Sequence, residues 1–231
     1  MIKVFKKTTG LRVILILLVP LLFCNIGIAL AKDIKDNSTS GVATEVMLKK
    51  VSVIRVPLIR QTENYDCGAV ALQSVLAYYG EEVREDKLIK ELGTNPESGT
   101  SWRKMKDFAL RKAFNVDTRF TMELNAFKRT LDEGKPLIVA IQAWLIHPVN
   151  FVHDWENDWD DGHWVVAVGY DDNNIYFMDP STLGNYTFIP KEEFLQRWHD
   201  IDADGKKLSH FGMIVSRSKR AYSYKEVKRI D

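Results

Sequence analysis

Apolar positions along the chain fall into two periods. After Cys67, Val70, Ala71, Ser74, Val75 and Tyr78 recur at three- and four-residue spacing, which predicts an amphipathic helix that Gly80 ends. The same spacing predicts helices over 84–92, over 101–114 with Ser101 as cap, and over 123–133, stopped by Gly134 and Pro136. Strand patterns occupy other stretches. Residues 51–59 (VSVIRVPLI) read as an edge strand because Pro57 cannot donate to a ladder, and 137–144 (LIVAIQAW) as a buried one. Residues 163–170 and 175–179 form a hairpin around Asp171 to Asn174, followed by a strand over 185–189, a short helix over 191–198 and a last strand over 210–215. Helices lead and strands follow, so the predicted class is α+β with an antiparallel sheet, without internal repeats.

Between the buried strand and the hairpin the pattern breaks into WLIHPVNFVHDWENDWDDG, Trp144 to Gly162, a length that marks a functional loop. We expect this loop to border a substrate groove, with Asp154, Glu156, Asp158, Asp160 and Asp161 favouring basic peptide segments. Its tryptophans, with Trp164, serve equally well as groove lining or as packing. Residues 32–50 read as a polar linker, 51–216 as the folded domain and 217–231 as a basic tail that is solvated or weakly attracted to a membrane surface.

At the amino terminus Lys3, Lys6, Lys7 and Arg12 precede a nearly uncharged run, Val13 to Ala31, that closes on Ala29-Leu30-Ala31. This is the pattern of an export signal over 1–31, and at this length the run could also stay as a membrane anchor. Without it, 28 Lys plus Arg face 31 Asp plus Glu, a balance that gives no reason to expect nucleic acid as a partner. It would also leave Cys67 as the one cysteine, either buried and inert or kept for its reactivity.

The surroundings of Cys67 favour reactivity. A thiol on the first turn of a helix meets unpaired N–H groups that stabilise the thiolate, although Asp66 opposes this. A cysteine nucleophile further needs a base, a group to orient it and donors for the oxyanion. His163 opens one hairpin strand and Asp179 closes the other. An odd-numbered loop centred on Asp171 would set them directly opposite each other, whereas a two-residue loop at Asp172-Asn173 would leave them about three residues out of register, roughly 10 Å. Gln61, six residues before Cys67, can donate a side-chain N–H beside the Cys67 backbone N–H. His199 and His210 are weaker candidates for the base, since neither has a carboxylate on an adjacent hairpin strand.

The block QTENYDCG, Gln61 to Gly68, followed far downstream by His163-Trp164-Val165-Val166 and Asp179-Pro180, resembles the double-glycine-leader, or bacteriocin-processing, cysteine peptidase family of the papain-like clan. The resemblance covers about Val56 to Val215. It implies a helical part, with the cysteine at a helix start, packed on an antiparallel sheet that bears the histidine and aspartate. It further implies Cys67 as nucleophile, His163 as base, Asp179 as its orienter, Gln61 as oxyanion donor, and a peptide or protein as substrate. The best-known members are fused to ATP-driven exporters. This chain has neither a later hydrophobic span nor a G-x-x-x-x-G-K-[ST] loop, so it resembles a stand-alone, exported relative in which double-glycine cleavage need not persist.

Other chemistries fit less well. His147, His153 and His163 with the acidic loop match no compact zinc spacing, and Asp200 to Gly205 begins like a calcium loop but has Phe211 where a bidentate Glu belongs. No cofactor or metal is therefore expected. An amidase or transglutaminase-like enzyme of the same clan would use the same residues, and a peptide-binding module without turnover would need only the groove. Oligomeric state leaves no trace in the pattern.

Overall fold

A computed structural model of the chain describes residues 53–144, 153–218, 222–225, 227 and 229–230. The expected export signal and linker lie outside the described residues. Three helices, α1 (Cys67–Tyr78), α2 (Glu85–Leu92) and α3 (Trp102–Arg111), come first. After them come β1 (Asn115–Arg119), α4 (Leu124–Asp132), β2 (Leu137–Gln142), β3 (Gly162–Tyr170), β4 (Asn174–Met178), β5 (Tyr186–Pro190), α5 (Lys191–Arg197), β6 (His199–Ile201), β7 (Lys207–Ser209) and β8 (Gly212–Ser216). Six strands make one antiparallel sheet in the order β1-β8-β2-β3-β4-β5, and β6 and β7 pair separately. This is the expected α+β class.

Both faces of the sheet are covered, which is why all six residues of β2 are buried. On one face Leu72, Val75 and Leu76 of α1, Leu88 of α2 and Phe108 of α3 pack with Ile138, Trp164, Val166 and Met213; on the other, Phe127 of α4 and Phe194 of α5 pack with Val139, Val165 and Phe177. α1 departs from expectation. Ten of its twelve residues are buried, so it is a central helix rather than an amphipathic one. Gly80 ends it with φ +82°, a left-handed conformation that suits glycine.

Three further readings need correction. Residues 53–59 are not an edge strand: the Ile54 N–H reaches Val168 O at 2.7 Å and the Val56 N–H turns back to Ile54 O, so no ladder forms. The helix expected over 101–114 stops at Arg111, with Ala113 in the left-handed region, and the chain continues as β1, whose half-exposed NVDTR carries little apolar signal. The last strand begins at Gly212, because His210 takes φ +47° and lies flat on Trp198.

The hairpin β3–β4 decides which side chains can meet at the sheet's end. Asp171 N–H bonds to Asn174 O and Tyr170 pairs with Ile175, so the turn is the two-residue Asp172-Asn173 and not the odd-numbered loop we expected. A bulge between Ala167 and Gly169 then inserts one extra residue into β3, and Val166 pairs with Met178. Because side chains alternate with period two, that single residue changes which face each later partner occupies. Continued past Met178, the register sets Asp179 opposite Val165, on the same face as His163 and one pleat away. The bulge does what the odd-numbered turn was supposed to do.

Candidate active site

Cys67 is the first residue of α1. Gly68 follows it because a Cβ there would lie 2.6 Å from the Thr100 Cβ and 2.9 Å from Trp164 Cδ1, so only glycine lets the helix start sit this close to β3. Cys67 is 9% exposed and opens on a cleft of about 500 Å³. The chain segments 64–67, 96–100, 159–164 and 200–205 form the cleft.

His163 stands at the start of β3, nearly sealed from solvent, with its Nε2 2.8 Å from Asp179 Oδ1. The Cys67 thiol lies near enough to the same ring to raise its pKa. Since Nε2 is taken by the carboxylate, Nδ1 is the nitrogen left for the thiol. Burial alone would lower the imidazole pKa, but the Asp179 hydrogen bond and the charges of Cys67 and Asp179 outweigh it and hold it at about 9. Burial likewise works to raise Asp179, and the bond to His163 together with the Ser181 N–H and hydroxyl brings it down to about 2. The Ser181 donors and the Thr182 hydroxyl also fix the carboxylate's orientation. At neutral pH the pair is imidazolium and carboxylate.

Gln61 is tied to this corner by its backbone N–H, which donates to Pro180 O at 2.8 Å. Its side-chain Nε2 donates to Glu63 O at 2.6 Å, leaving one amide hydrogen uncommitted, so Gln61 adjoins the group without aiming its amide wholly at the cleft. The segment between is pinned by Glu85, whose Oε1 accepts from both the Thr62 N–H and hydroxyl. Asp66 beside it is buried and is pushed up to about 6 by desolvation and then by Glu85.

Of the four residues singled out from the sequence, Cys67, His163 and Asp179 come together and Gln61 lies alongside. The rivals do not join them: the His199 ring bonds to Asp158 O and packs on Trp159, and His210 stacks on Trp198. The tryptophans divide. Trp159 and Trp164 line the cleft, Trp155 packs under the Arg197 guanidinium, and Trp144 lies 5.0 Å from the His163 ring, where it shields the imidazole. Of the five loop carboxylates only Asp160 lines the cleft; Asp158 bonds to His153 and Asp154 to Asn157. The loop therefore borders the groove at its carboxy-terminal end, and residues 145–152 lie outside the described ones. The stretch that imitates a calcium loop is a turn in which Arg103 holds Asp202 and Asp204. Among the described residues no cluster of His, Cys, Asp or Glu is arranged to hold a metal.

Sequence reasoning missed Asp200. It lies on β6 against the ends of β2 and β3, where its Oδ1 accepts from the Ile201 N–H and from Gln142 Nε2, and Gln142 Oε1 in turn accepts the Asp161 N–H. Gly162 is glycine because a Cβ would fall on the Asp200 carboxylate. No local pattern announces a contact between residues so far apart in sequence.

The model of the Peptidase_C39 like family matches residues 53–205. Among solved structures, the chain is similar to a C39-like peptidase from Bacillus anthracis, at 17% identity and TM-score 0.56 over 74% of this chain and 99% of that one. It is also similar to the peptidase domain of Streptococcus ComA, a bi-functional ABC transporter involved in quorum sensing, at 20% identity and TM-score 0.51 over 70% of this chain and 98% of that one. At these identities the likeness is one of fold. No curated protein matches the sequence.

Proposed function

Because the chain belongs to the Peptidase_C39 like family and is a cysteine-type peptidase, we propose that Cys67, His163 and Asp179 are its catalytic triad and that it cleaves peptide segments of the bacteriocin-leader type or related ones. The observation that carries this reading is the imidazole of His163 held 2.8 Å from Asp179 Oδ1 and close enough to the Cys67 thiol for the thiol to raise its pKa.

In the proposed cycle the thiol proton resides on His163 Nδ1 and the Cys67 sulfur attacks the scissile carbonyl carbon. The carbonyl oxygen becomes an oxyanion, met by the Cys67 backbone N–H and the free amide hydrogen of Gln61. As the C–N bond breaks, the imidazolium gives its proton to the departing amine and a thioester remains on Cys67. Neutral His163 then takes a proton from water, whose oxygen attacks the thioester and releases the acid and the thiolate. Asp179 keeps its charge throughout and holds the ring in one orientation, as its low pKa of about 2 favours.

We further propose export, supported by the basic residues before the apolar run Val13 to Ala31. Among the described residues no helix is long and apolar enough to cross a membrane. The test of the activity is incubation of the full chain with a diverse peptide library and mass spectrometry of the products. New termini that share a residue preference are expected, and an intact library would refute peptidase action on such substrates.

A further inference from the structure

We infer that Asp200 is a specificity residue that receives a lysine or arginine side chain of the substrate next to the scissile bond. The inference rests on the reading of Cys67 as nucleophile, since it concerns the cleft into which that thiol opens. Other carboxylates around the cleft are poorer candidates for charge recognition. Glu97 and Asp160 are exposed at the rim, and Asp202, though buried, is neutralised by the Arg103 guanidinium at 2.6 Å. Asp154 and Asp158 are not among the residues lining the cleft and are bonded to Asn157 and His153.

Asp200 differs from all of these. It is 7% exposed, it lines the cleft, and its two hydrogen bonds both fall on Oδ1, which leaves Oδ2 without a hydrogen-bond partner among the described residues. The free oxygen of a mostly buried carboxylate is an acceptor that a substrate donor can reach from the cleft. Among the described residues that line the cleft there is no lysine, arginine or histidine to donate to it; the nearest cationic influence is the charge of His163. Gly162 packs directly against this carboxylate, since a Cβ there would strike both oxygens, and this sets Asp200 at the start of β3. Gly162 also precedes His163, so a cation seated there would belong to a substrate residue close to the bond being cut. Trp159 and Trp164 line the same cleft and give it apolar walls, Trp159 being held between Lys207 and His199.

Protonation gives the site a second signature. Burial pushes Asp200 up to about 7, against the pull of the Ile201 N–H, Gln142 and the His163 charge and with the push of Asp202. The charged groups around it are His163 from β3, Asp202 with its partner Arg103, Asp160 at the rim, and Lys207 from β7, whose ammonium lies on Trp159. Ionised Asp200 attracts a cation and the neutral acid does not, so preference for a basic side chain rises as pH passes through this range. Peptides compared as pairs cancel the titration of His163, which acts on both alike.

The experiment uses peptides blocked at both ends, each paired as lysine or norleucine at one position after another around the cleaved bond. Binding is measured to the full chain carrying Cys67→Ala, and cleavage to the unmodified chain. At one position lysine should bind about 10-fold or more tighter than norleucine, a ratio that falls to about one when Asp200→Asn is added. Asp154→Asn should leave the ratio as it was. No lysine preference at any position, or a preference that survives Asp200→Asn, overturns the inference. So does an Asp200→Asn change that weakens both members of a pair equally, since that is the mark of a residue that merely supports His163. Should Asp200→Asn fail to fold, the ratio in the Cys67→Ala chain between pH 5.5 and 8.5 decides: a rise with pH supports the assignment and a flat ratio overturns it. Binding that behaves as expected without cleavage of any peptide by the unmodified chain would sink the peptidase reading and leave the cation site standing.

Discussion

Replacing Asp179 by asparagine keeps an oxygen where His163 Nε2 now finds Oδ1 at 2.8 Å and removes the charge alone. In the intact protein the carboxyl is held from 3.8 down to about 2, despite burial that works the other way. At about 1.4 kcal/mol for each tenfold change in an equilibrium constant, the shift is about 2.5 kcal/mol net of the burial penalty, supplied by His163 and Ser181 together. The rise of His163 from 6.5 to about 9 is larger because the Cys67 charge adds to it, so the aspartate gives the better measure of the pair. A depressed carboxyl stabilises the fold above its unfolded pKa and loses that as pH falls through about 2, and a raised imidazole stabilises it below 6.5 and loses that as pH rises through about 9. The stability gap between the two proteins in urea unfolding should therefore be widest between about pH 4 and 6.5 and close toward either extreme. In the pH dependence of kcat/KM, the alkaline limb that reports loss of the His163 proton should move from near 9 down by about one to two pH units in Asp179→Asn. An alkaline limb that stays in place would mean that Asp179 does not set the charge of His163, and the triad assignment would lose its orienter.

Three further outcomes are expected from the geometry. Gln61→Ala should lower kcat by about 100-fold or more with little change in KM, as loss of an oxyanion donor does; an effect on KM alone would make Gln61 a loop anchor, acting through Pro180 and Glu63. Gly162→Ala should cost about 1–3 kcal/mol in chemical unfolding, because the new methyl falls on the Asp200 carboxylate at the end of β3; unchanged stability would mean that β6 yields freely. Trp144→Ala should reduce kcat by about 3- to 10-fold by admitting water to the His163–Asp179 bond, and a rate equal to that of the intact chain would leave Trp144 a bystander.

The elements that carry the proposed triad are those that the sequence announces most strongly. α1 is a long apolar run closed by Gly80, and β3 and β4 are dense in β-branched and aromatic residues, so local pattern and tertiary demand agree. Where they disagree, the pattern misleads. Residues 53–59 have strand composition but meet β3 past its last β2 pair, through the Ile54 N–H bond to Val168 O, before the Val56 N–H turns back to Ile54 O. The strands β1, β6 and β7 are short and partly polar, and they exist because a neighbour offers hydrogen bonds, as β8 does for β1. The site shows the same division. That His163 and Asp179 meet could be anticipated, but not how, because the sequence around Val168 does not advertise a bulge and the turn residues alone give the wrong face. Asp200 stays hidden for a third reason: its neighbours Gln142 and Gly162 reach it only when a two-stranded sheet docks on the ends of β2 and β3, and its own segment reads as a polar turn.

The claim on which the account depends is that the Cys67 sulfur does the chemistry. Its most direct test is the rate of peptide cleavage by Cys67→Ala, measured on a peptide that the unmodified chain cuts and alongside the circular dichroism and melting temperature of both proteins. Alanine in place of a residue 9% exposed at a helix start should leave the fold in place, and turnover should fall by at least about 10,000-fold, as it does when a nucleophile is removed from a working triad. A folded Cys67→Ala protein that still cleaves the same bond at an appreciable fraction of the original rate would contradict the account.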